Sequence, residues 1–370
     1  MSYNLILYAL LSFLISVISI PVIIKLSHRH EVFDYSCPRK VHVGNIPRLG
    51  GLGIFLACFP LTLFYLLNND TSFNHMLLLS GMLTAFLVGF VDDLKPIRAR
   101  YKLIIQICAA SMAAASGLLI KNFVFYSFFT INFGYMAYPI TVFWIVAFMN
   151  AVNLIDGMDG LSTGIVLLAN LFIILIAAMS QNYLVLTLSI VLECSIAGFY
   201  IFNFPPAKIF LGDGGAYFIG FMYAVLPLMG VKKSAALTVF LIPMILMLVP
   251  IFDVAQVVLH RMRDGHNIFQ PDKRHLHHRL MNLGFSTNGI LAVVYCYTVI
   301  LGIFSLIMVA ATPKLSLLLF GFILMILALS IYILKKAENV IAELKEREIR
   351  YENIDKVKNY NIFPFKTKAG

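Results

Sequence analysis

Apolar residues in this sequence are grouped into blocks of about 20 residues, separated by shorter polar stretches. A helix of that length crosses the hydrocarbon core of a bilayer, and the blocks lack the alternation of apolar and polar residues that a barrel strand requires. The sequence therefore predicts an all-α polytopic membrane protein, a bundle of about 11 transmembrane helices. The predicted spans are 3–26, 49–67, 76–91, 103–120, 139–154, 161–180, 183–203, 215–230, 237–252, 288–310 and 314–334.

Composition agrees with this prediction. Of the 370 residues, 60% are hydrophobic and 12% are charged, with a mean hydropathy of +0.88, which excludes a water-soluble fold and a disordered chain. We expect an integral membrane domain over 1–334 and a charged, helical, cytoplasmic tail over 335–370, where Glu343 and Arg347 are spaced as helical ion pairs.

Basic residues are unevenly divided between the two sets of loops. An odd number of spans puts the termini on opposite sides, and 24 of the 28 Lys and Arg residues then fall on the side of the C-terminus. The positive-inside rule places that side, and the C-terminus, in the cytoplasm and the N-terminus outside. The same side carries 16 of the 18 acidic residues and eight of the nine histidines, which the rule does not require. Any chemistry should therefore take place at the cytoplasmic surface.

Two cytoplasmic segments contain paired carboxylates. Asp92 and Asp93 are adjacent at the end of the third predicted span, where they could bind Mg²⁺, act as bases or pair with the basic residues that follow. Asp156 and Asp159 are three residues apart in a glycine-rich segment without Lys or Arg, so a ligand could approach the backbone closely there. A plain turn is the alternative for this second segment.

Two further segments combine acids, histidines and aromatic residues. Asp213 lies between glycines in F-L-G-D-G-G, either as a helix cap or as part of a site in which Phe210 faces a flat base. The segment H-L-H-H-R begins at His275 in a loop that also holds Arg261 and Arg263. Without a nearby cysteine, an anionic ligand suits this basic loop better than zinc. A diphosphate with its metal ion would fit all these segments together.

Six motifs occur in the order typical of a known family: R-K-V-H-V-G-N-I-P-R-L-G-G, V-D-D-L, N-L-I-D-G-M-D-G-L, F-L-G-D-G-G, P-I-F-D and H-L-H-H-R-L. Over roughly residues 30–290 the chain resembles the polyprenyl-phosphate N-acetylhexosamine-1-phosphate transferases of glycosyltransferase family 4. Within that family it is most similar to the undecaprenyl-phosphate N-acetylglucosaminyl 1-phosphate transferases. Leu276 interrupts the histidines that run consecutively in the phospho-N-acetylmuramoyl-pentapeptide transferases, which disfavours that branch.

The resemblance implies a reaction and a set of residues. The expected reaction moves a sugar 1-phosphate, most simply that of N-acetylglucosamine, from a UDP-sugar to undecaprenyl phosphate with Mg²⁺ or Mn²⁺, releasing UMP. It would start a lipid-linked cell-surface glycan at a bacterial inner (plasma) membrane, and homodimers are common in the family. The implied catalytic residues are Asp92, Asp93, Asp156, Asp159 and His278, and the implied metal ligands are Asp213 and Asp156. The implied substrate-binding residues are Arg39, Lys40, His42, Asn153, Asn203, Phe210, His275 and His277.

Physical reasoning adds Arg261 and Arg263 to the substrate-binding residues, because two negatively charged reactants need cations in order to meet. Two other functional classes stay open at this point. A transporter would place charged residues along a path through the spans, and only Glu193 is an acidic residue deep in one. A membrane scaffold without catalytic activity would need none of these residues for a reaction.

Overall fold

The computed structural model describes residues 2–34, 46–125, 129–230, 245, 247–248, 252–253, 256, 261–263 and 275–360. The α-helices with described bounds are α1 Ser2–Arg29, α2 Gly50–Leu67, α3 His75–Leu94, α4 Ala99–Ala115, α5 Ala137–Ile155, α6 Leu161–Met179, α7 Tyr183–Asn203, α8 Gly212–Val225, α9 Leu276–Asn282, α10 Thr287–Ala310 and α11 Pro313–Tyr360. Two short antiparallel hairpins connect helices, β1 Phe33–Asp34 with β2 Ile46–Pro47, and β3 Asn122–Phe125 with β4 Phe129–Asn132. The prediction of an all-α polytopic membrane protein is confirmed.

The number of membrane crossings differs from the prediction. In the described residues, eight helices are long and apolar enough to span a membrane. The blocks predicted at 103–120 and 215–230 form α4, with 17 residues, and α8, with 14 residues. Most of the block at 237–252 lies outside the described residues. The predicted count of 11 is therefore not confirmed. Apolar composition alone does not distinguish a helix that faces lipid from one enclosed by protein, as α8 is, and α4 ends at Ala115, five residues before the end of its predicted block.

Helix α8 forms the centre of the bundle. Every residue of α8 except Asp213 is buried, and the helix packs against α2, α3 and α5. A helix enclosed in this way needs no polar face and no full span, since its neighbours replace the lipid. Its single acidic residue lies in the first turn, at the end of the helix where the acidic segments converge.

Glycines allow the N-terminal end of α8 to approach its neighbours closely. A Cβ on Gly89 of α3 would lie 2.3 Å from the carbonyl carbon and oxygen of Asp213, and a Cβ on Gly51 of α2 would lie 2.1 Å from the backbone nitrogen of Gly215. No side chain fits at such distances. These two glycines therefore fix where the first turn of α8 lies relative to α2 and α3.

The outer helices expose apolar side chains, as expected of surfaces that face lipid. Phe143 is 74% exposed and Leu318 is 71% exposed. In α11, only 6% of the most apolar stretch of the helix is buried. Helix α11 continues without a break across the predicted domain boundary at 334 and ends at Tyr360. The charged tail is helical through residue 360. Position 334 is therefore where the composition of the helix changes from apolar to charged, and the helix itself does not end there.

Candidate active site

The acidic residues of two distant segments share one lysine. The Nζ atom of Lys102, in the first turn of α4, lies 3.0 Å from Oδ2 of Asp92 and 3.0 Å from Oδ2 of Asp213. Asp92 also accepts a hydrogen bond from the backbone N–H of Ile97 at 2.7 Å, which fixes its carboxylate against the turn that follows α3. The arrangement brings together the carboxylates predicted at the ends of the third span and in F-L-G-D-G-G.

Asp93 has a different environment from its neighbour. Its carboxylate accepts hydrogen bonds from the backbone N–H groups of Asp213 and Gly214, both at 2.9 Å, and lies 3.2 Å from Nη2 of Arg48. These are the unpaired donors of the first turn of α8, so Asp93 satisfies a helix N-terminus from another helix. Gly212 has φ of +74°, a left-handed conformation that favours glycine and allows this contact. The structure thus gives Asp93 a role in holding Asp213 in place.

The acidic loop between α5 and α6 completes the cluster. Asn153 donates from Nδ2 to Oδ1 of Asp213 at 3.0 Å, and Ser162 donates from its hydroxyl to Asp156. Burial, and then the nearby charges of Asp213 and Asp159, raise the pKa of Asp156 to about 7, although the Ser162 hydrogen bond opposes this shift. A positive charge close to Asp156 would stabilise the ionised form of this carboxyl group.

Asp159 and Asn203 connect two loops rather than facing the lysine. Oδ2 of Asp159 accepts a hydrogen bond from the backbone N–H of Ala207 at 3.0 Å. The buried amide of Asn203 accepts from the Gly160 N–H at 3.2 Å and donates to the Ile209 carbonyl at 2.9 Å. Both side chains hold the acidic loop against the segment that leads into α8. The predicted uridine contact of Asn203 stays a prediction.

Phe210 joins the first cytoplasmic loop to the F-L-G-D-G-G segment through its backbone. Its N–H donates to the carbonyl of Pro47 at 2.7 Å, and its carbonyl accepts from the N–H of Gly50 at 2.9 Å. Its ring is half-buried. Of the other first-loop predictions, Arg39, Lys40 and His42 lie outside the described residues.

The histidine segment lies beside the acidic loop. His275 shares a hydrogen bond of 2.9 Å between Nδ1 and Oδ2 of Asp253, and the Leu276 N–H donates to Oδ1 of the same carboxylate at 2.7 Å. His277 is 5% exposed, and its Cε1 atom would lie 2.9 Å from a Cβ on Gly157. The ring of His278 lies 4.3 Å from that of His277. The structure thus places the histidines next to the backbone that follows Asp156.

Burial, together with the neighbouring His278 and His275, lowers the pKa of His277 to about 4. His277 is therefore neutral at pH 7 and can act as a hydrogen-bonding group but not as a cation. Of the two predicted arginines, Arg261 is buried, at 6% exposure, whereas Arg263 is exposed. Arg263 is thus the one predicted cation among the described residues that the structure leaves on an exposed surface.

Comparison with known proteins identifies the family. Residues 75–231 match the model of glycosyl transferase family 4. A probable undecaprenyl-phosphate N-acetylglucosaminyl 1-phosphate transferase of Bacillus subtilis is 35% identical over 90% of this chain and 92% of that protein. The chain belongs to glycosyl transferase family 4. The family predicted from the six motifs is confirmed, and with it the assignment as a transferase.

More distant relatives lie on both branches of glycosyl transferase family 4. A decaprenyl-phosphate N-acetylglucosaminephosphotransferase of Mycobacterium leprae is 30% identical over 74% of this chain and 75% of that protein. A phospho-N-acetylmuramoyl-pentapeptide-transferase of Staphylococcus carnosus is 26% identical over 80% of this chain and 97% of that protein. The order of similarity follows the prediction made from Leu276, which favours the N-acetylglucosamine branch.

The oxygen donors at the centre of this family 4 site fit a hard divalent cation. Carboxylate oxygens are the ligands that Mg²⁺ prefers, and those of Asp92 and Asp213 already face one shared positive charge at 3.0 Å. Asp156 is near enough for the charge of Asp213 to raise its pKa. Among the described residues, no three His, Cys, Asp or Glu side chains are grouped as a complete set of metal ligands. Lys102 and Asn153 each bind one oxygen of Asp213 instead.

Sequence reasoning missed three residues that shape this site: Lys102, Arg48 and Ser162. Lys102 was indistinguishable from the other basic residues after the third span, whose presence the positive-inside rule already explains. Its position in the first turn of α4, ten residues after Asp92, gives no local sign that its ammonium group reaches Asp213. Only the packing of α3, α4 and α8 establishes that contact.

Proposed function

We propose that this chain transfers N-acetylglucosamine 1-phosphate from UDP-N-acetylglucosamine to undecaprenyl phosphate at the cytoplasmic membrane face, releasing UMP. The observation that carries the proposal is the convergence of Asp92, Asp213 and Lys102, which come from three helices and meet at 3.0 Å. Asp156 and the histidine segment border the same cluster. The name of the 35% identical relative supports N-acetylglucosamine 1-phosphate as the transferred group and undecaprenyl phosphate as the acceptor. The product would start a lipid-linked cell-surface glycan.

Charge is the main obstacle that this reaction has to overcome. The donor diphosphate and the acceptor phosphate are both negatively charged, so they meet only where cations compensate them. Lys102 supplies one positive charge at the centre of the cluster. Asp213 and Asp156 would hold Mg²⁺, which when bound compensates the charge of the diphosphate. Buried Arg261 is a further candidate to bind phosphate.

The residues of the chain then align the reactants. An oxygen of the lipid phosphate bonds to the sugar-bearing phosphorus of the donor, the bond from that phosphorus to the bridging oxygen breaks, and UMP leaves with that oxygen. A phosphate monoester has its second pKa near 6, so the acceptor is already mostly dianionic and a general base contributes modestly. Asp92, at the cytoplasmic end of α3, would position this phosphate by holding the ammonium group of Lys102, while Asp93 holds the first turn of α8.

The histidine segment would bind the sugar-phosphate part of the donor. His277 faces Gly157, next to Asp156, and can donate or accept a hydrogen bond without adding charge. His275 is oriented by Asp253, which leaves its other ring nitrogen for a ligand. His278 lies beside them as the predicted catalytic histidine. Phe210 and Asn203 would border the uridine.

The reaction requires the cluster to face the cytoplasm. With the spans predicted from the sequence, loops on that side carry 24 of the 28 Lys and Arg residues, which supports a bacterial plasma membrane protein with its N-terminus outside and its C-terminus inside. The homodimer implied by the family resemblance stays a prediction.

The test is release of UMP by the purified full chain with Mg²⁺, undecaprenyl phosphate and a panel of UDP-sugars. We expect UDP-N-acetylglucosamine to be the best donor. The variant Asp213→Asn should lose at least about 100-fold in kcat, because it removes a central charge. Asp70→Asn, an exposed change distant from the site, serves as the control. Undiminished UMP release by Asp213→Asn would exclude the proposed site, and preference for the muramoyl-pentapeptide donor would reassign the branch.

A second experiment separates direct transfer from a covalent route. We infer direct attack by the lipid phosphate, because Asp92 lies at the membrane boundary, where the head group of the acceptor would be. Incubation with UDP-sugar and labelled UMP in the absence of lipid should leave the label in UMP. Appearance of label in UDP-sugar would instead establish an aspartyl-phosphate intermediate.

A further inference from the structure

An ion pair joins the histidine segment to the last helix. Arg279, the residue after His278, donates from Nε and Nη2 to the two carboxylate oxygens of Glu338, at 2.7 and 2.8 Å. Glu338 lies in α11, beyond the predicted membrane boundary at 334 and outside the family match at 75–231. A two-point contact of this kind fixes orientation as well as distance, unlike a single contact between flexible side chains.

The ion pair lies at the opposite end of α9 from the other anchor of that helix. Asp253 holds the start of α9 through His275 and the Leu276 N–H, and Glu338 holds the last turn through Arg279. Arg279 also donates from Nη1 to Oε1 of Gln256 at 3.4 Å. Helix α9 has only seven residues, so contacts at its two ends are enough to orient it.

Packing between α9 and α11 is incomplete. A cavity of about 360 Å³ lies between them, bordered by Arg279 and lined mainly by apolar side chains of α9, α10 and α11 such as Leu280, Val294 and Leu334. Because apolar contact is lost across a cavity, the ion pair carries a larger share of the attachment between the two helices. The side chains of Arg279 and Glu338 are 20% and 32% exposed, so solvent screens the pair only in part.

We propose that Glu338 is a positioning residue, which acts through Arg279 to keep His277 against Gly157 and the acidic loop. The proposal rests on the proposed function only in placing the histidines within the active site. His277 has little room to move toward Gly157, since its ring already lies 2.9 Å from where a Cβ on that glycine would be. Release of the last turn of α9 would therefore move His277 away from the loop and expose its ring.

The first measurement follows the accessibility of the histidines and does not depend on activity. The full-length protein in detergent is treated with diethyl pyrocarbonate, and the modification rate of each histidine in 275–278 is followed by mass spectrometry. We expect His277 of Glu338→Gln to react at least about fivefold faster than in the parent protein. Glu343→Gln, an exposed change on the same helix, should match the parent, and His30 serves as the internal reference.

The second measurement is kcat and KM for UMP release. Glu338→Gln should lose about tenfold in kcat/KM, and the exchanged pair Arg279→Glu with Glu338→Arg should recover most of the loss and restore slow modification of His277. Recovery by exchange would not occur if either residue bound substrate directly. The exchanged pair also keeps the test informative if Glu338→Gln unfolds.

Equal modification rates in Glu338→Gln and Glu343→Gln would overturn the proposal. So would a loss of activity in Glu338→Gln without any change in the reactivity of His277. If the parent protein releases no UMP with any donor, the proposed function fails, while the modification rates still decide whether Glu338 positions the histidines.

Discussion

Lys102 is the residue around which the acids of the site are arranged. Its ammonium group lies 3.0 Å from a carboxylate oxygen of Asp92 and from one of Asp213. Two carboxylates that share one cation in a partly buried place lose much of their mutual repulsion. The same arrangement offers positive charge to an incoming phosphate, so Lys102 should matter for catalysis as well as for the order of the site.

Replacement of this lysine by methionine keeps the length of the side chain and removes its charge. We expect Lys102→Met to reduce kcat for UMP release by about 100-fold to 1,000-fold, the range observed when one preorganised charge-stabilising group is lost. Lys121→Met, at an exposed position far from the site, is the matched control. A kcat within threefold of the parent at saturating Mg²⁺ would show that the metal alone compensates the charge.

His277 should make stability depend on pH. Its pKa is lowered by burial to about 4, whereas a histidine in the unfolded chain titrates near 6.5. Between these two values the unfolded chain takes up a proton that the folded chain does not. The burial of neutral His277 therefore costs no stability above about pH 6.5, and the free energy of unfolding decreases below that pH. It falls by up to about 1.4 kcal/mol per unit as the pH decreases toward 4.

The variant His277→Gln should lack this contribution. Its thermal unfolding midpoint in detergent, measured from pH 7 to pH 4.5, should fall less steeply than that of the parent. His30→Gln, at an exposed position, should keep the slope of the parent. Identical slopes for the parent and His277→Gln would mean that His277 is not buried as described.

Sequence alone identified most of the individual residues that converge. Asp92, Asp156, Asp213 and the histidines stood out because the positive-inside rule does not account for them. Lys102 did not stand out, since that rule accounts for every basic residue on its side equally well. The difference between Asp92 and Asp93 was also unpredictable, because adjacent residues differ only in which partner each meets across the bundle.

At the scale of elements, the site depends on how closely α3 approaches the first turn of α8. Asp93 of α3 accepts hydrogen bonds from two N–H groups of that turn, and Gly89, one helical turn earlier, leaves room for the carbonyl of Asp213. The first turn of α8 therefore has its direction set by α3. Asp213 points toward Lys102 as a consequence of this contact.

A methyl group at Gly89 should separate these two helices. The added Cβ would lie 2.3 Å from the Asp213 carbonyl, so one helix must move, and overpacking of this kind costs about 1–3 kcal/mol. We expect Gly89→Ala to lower the thermal unfolding midpoint and to reduce kcat by at least about tenfold through displacement of Asp213. A variant with unchanged stability and activity would contradict the close approach.

Gly321→Ala is the control for this prediction. A Cβ at Gly321 would meet no atom within 4 Å, and the residue lies on the outer helix α11. Alanine favours a helix over glycine, so this variant should be as stable as the parent or slightly more stable.

For the whole molecule, the side of the membrane that the acidic cluster faces determines whether the cluster can meet a cytoplasmic nucleotide sugar. The β3–β4 hairpin and the turn at Tyr135 lie between α4 and α5, at the ends opposite to Lys102 and Asp156. Tyr135 is fully exposed, and Lys208 is exposed beside the segment that leads to Asp213. These two positions therefore report on opposite sides of the membrane.

Single cysteines in a cysteine-free background test this arrangement. In intact cells, a membrane-impermeant maleimide should label Tyr135→Cys, whereas Lys208→Cys should react only after the membrane is made permeable. The physical reason is the excess of Lys and Arg on the side of Lys208, which the positive-inside rule retains in the cytoplasm. Labelling of Lys208→Cys in intact cells would place the cluster outside and contradict the proposed donor, which is a cytoplasmic nucleotide sugar.

The sequence by itself determined that the chain is a helical membrane protein, which side its charges favour and which residues are candidates for chemistry. Hydrophobic length and charge bias act locally along the chain, so they can be read without knowledge of the fold. Tertiary structure decided that α8 is an enclosed helix, that Asp93 holds it, that Lys102 joins two acids, and that Arg279 meets Glu338. Each of these depends on contacts between helices far apart in the chain, and such contacts follow from packing geometry rather than from the order of residues.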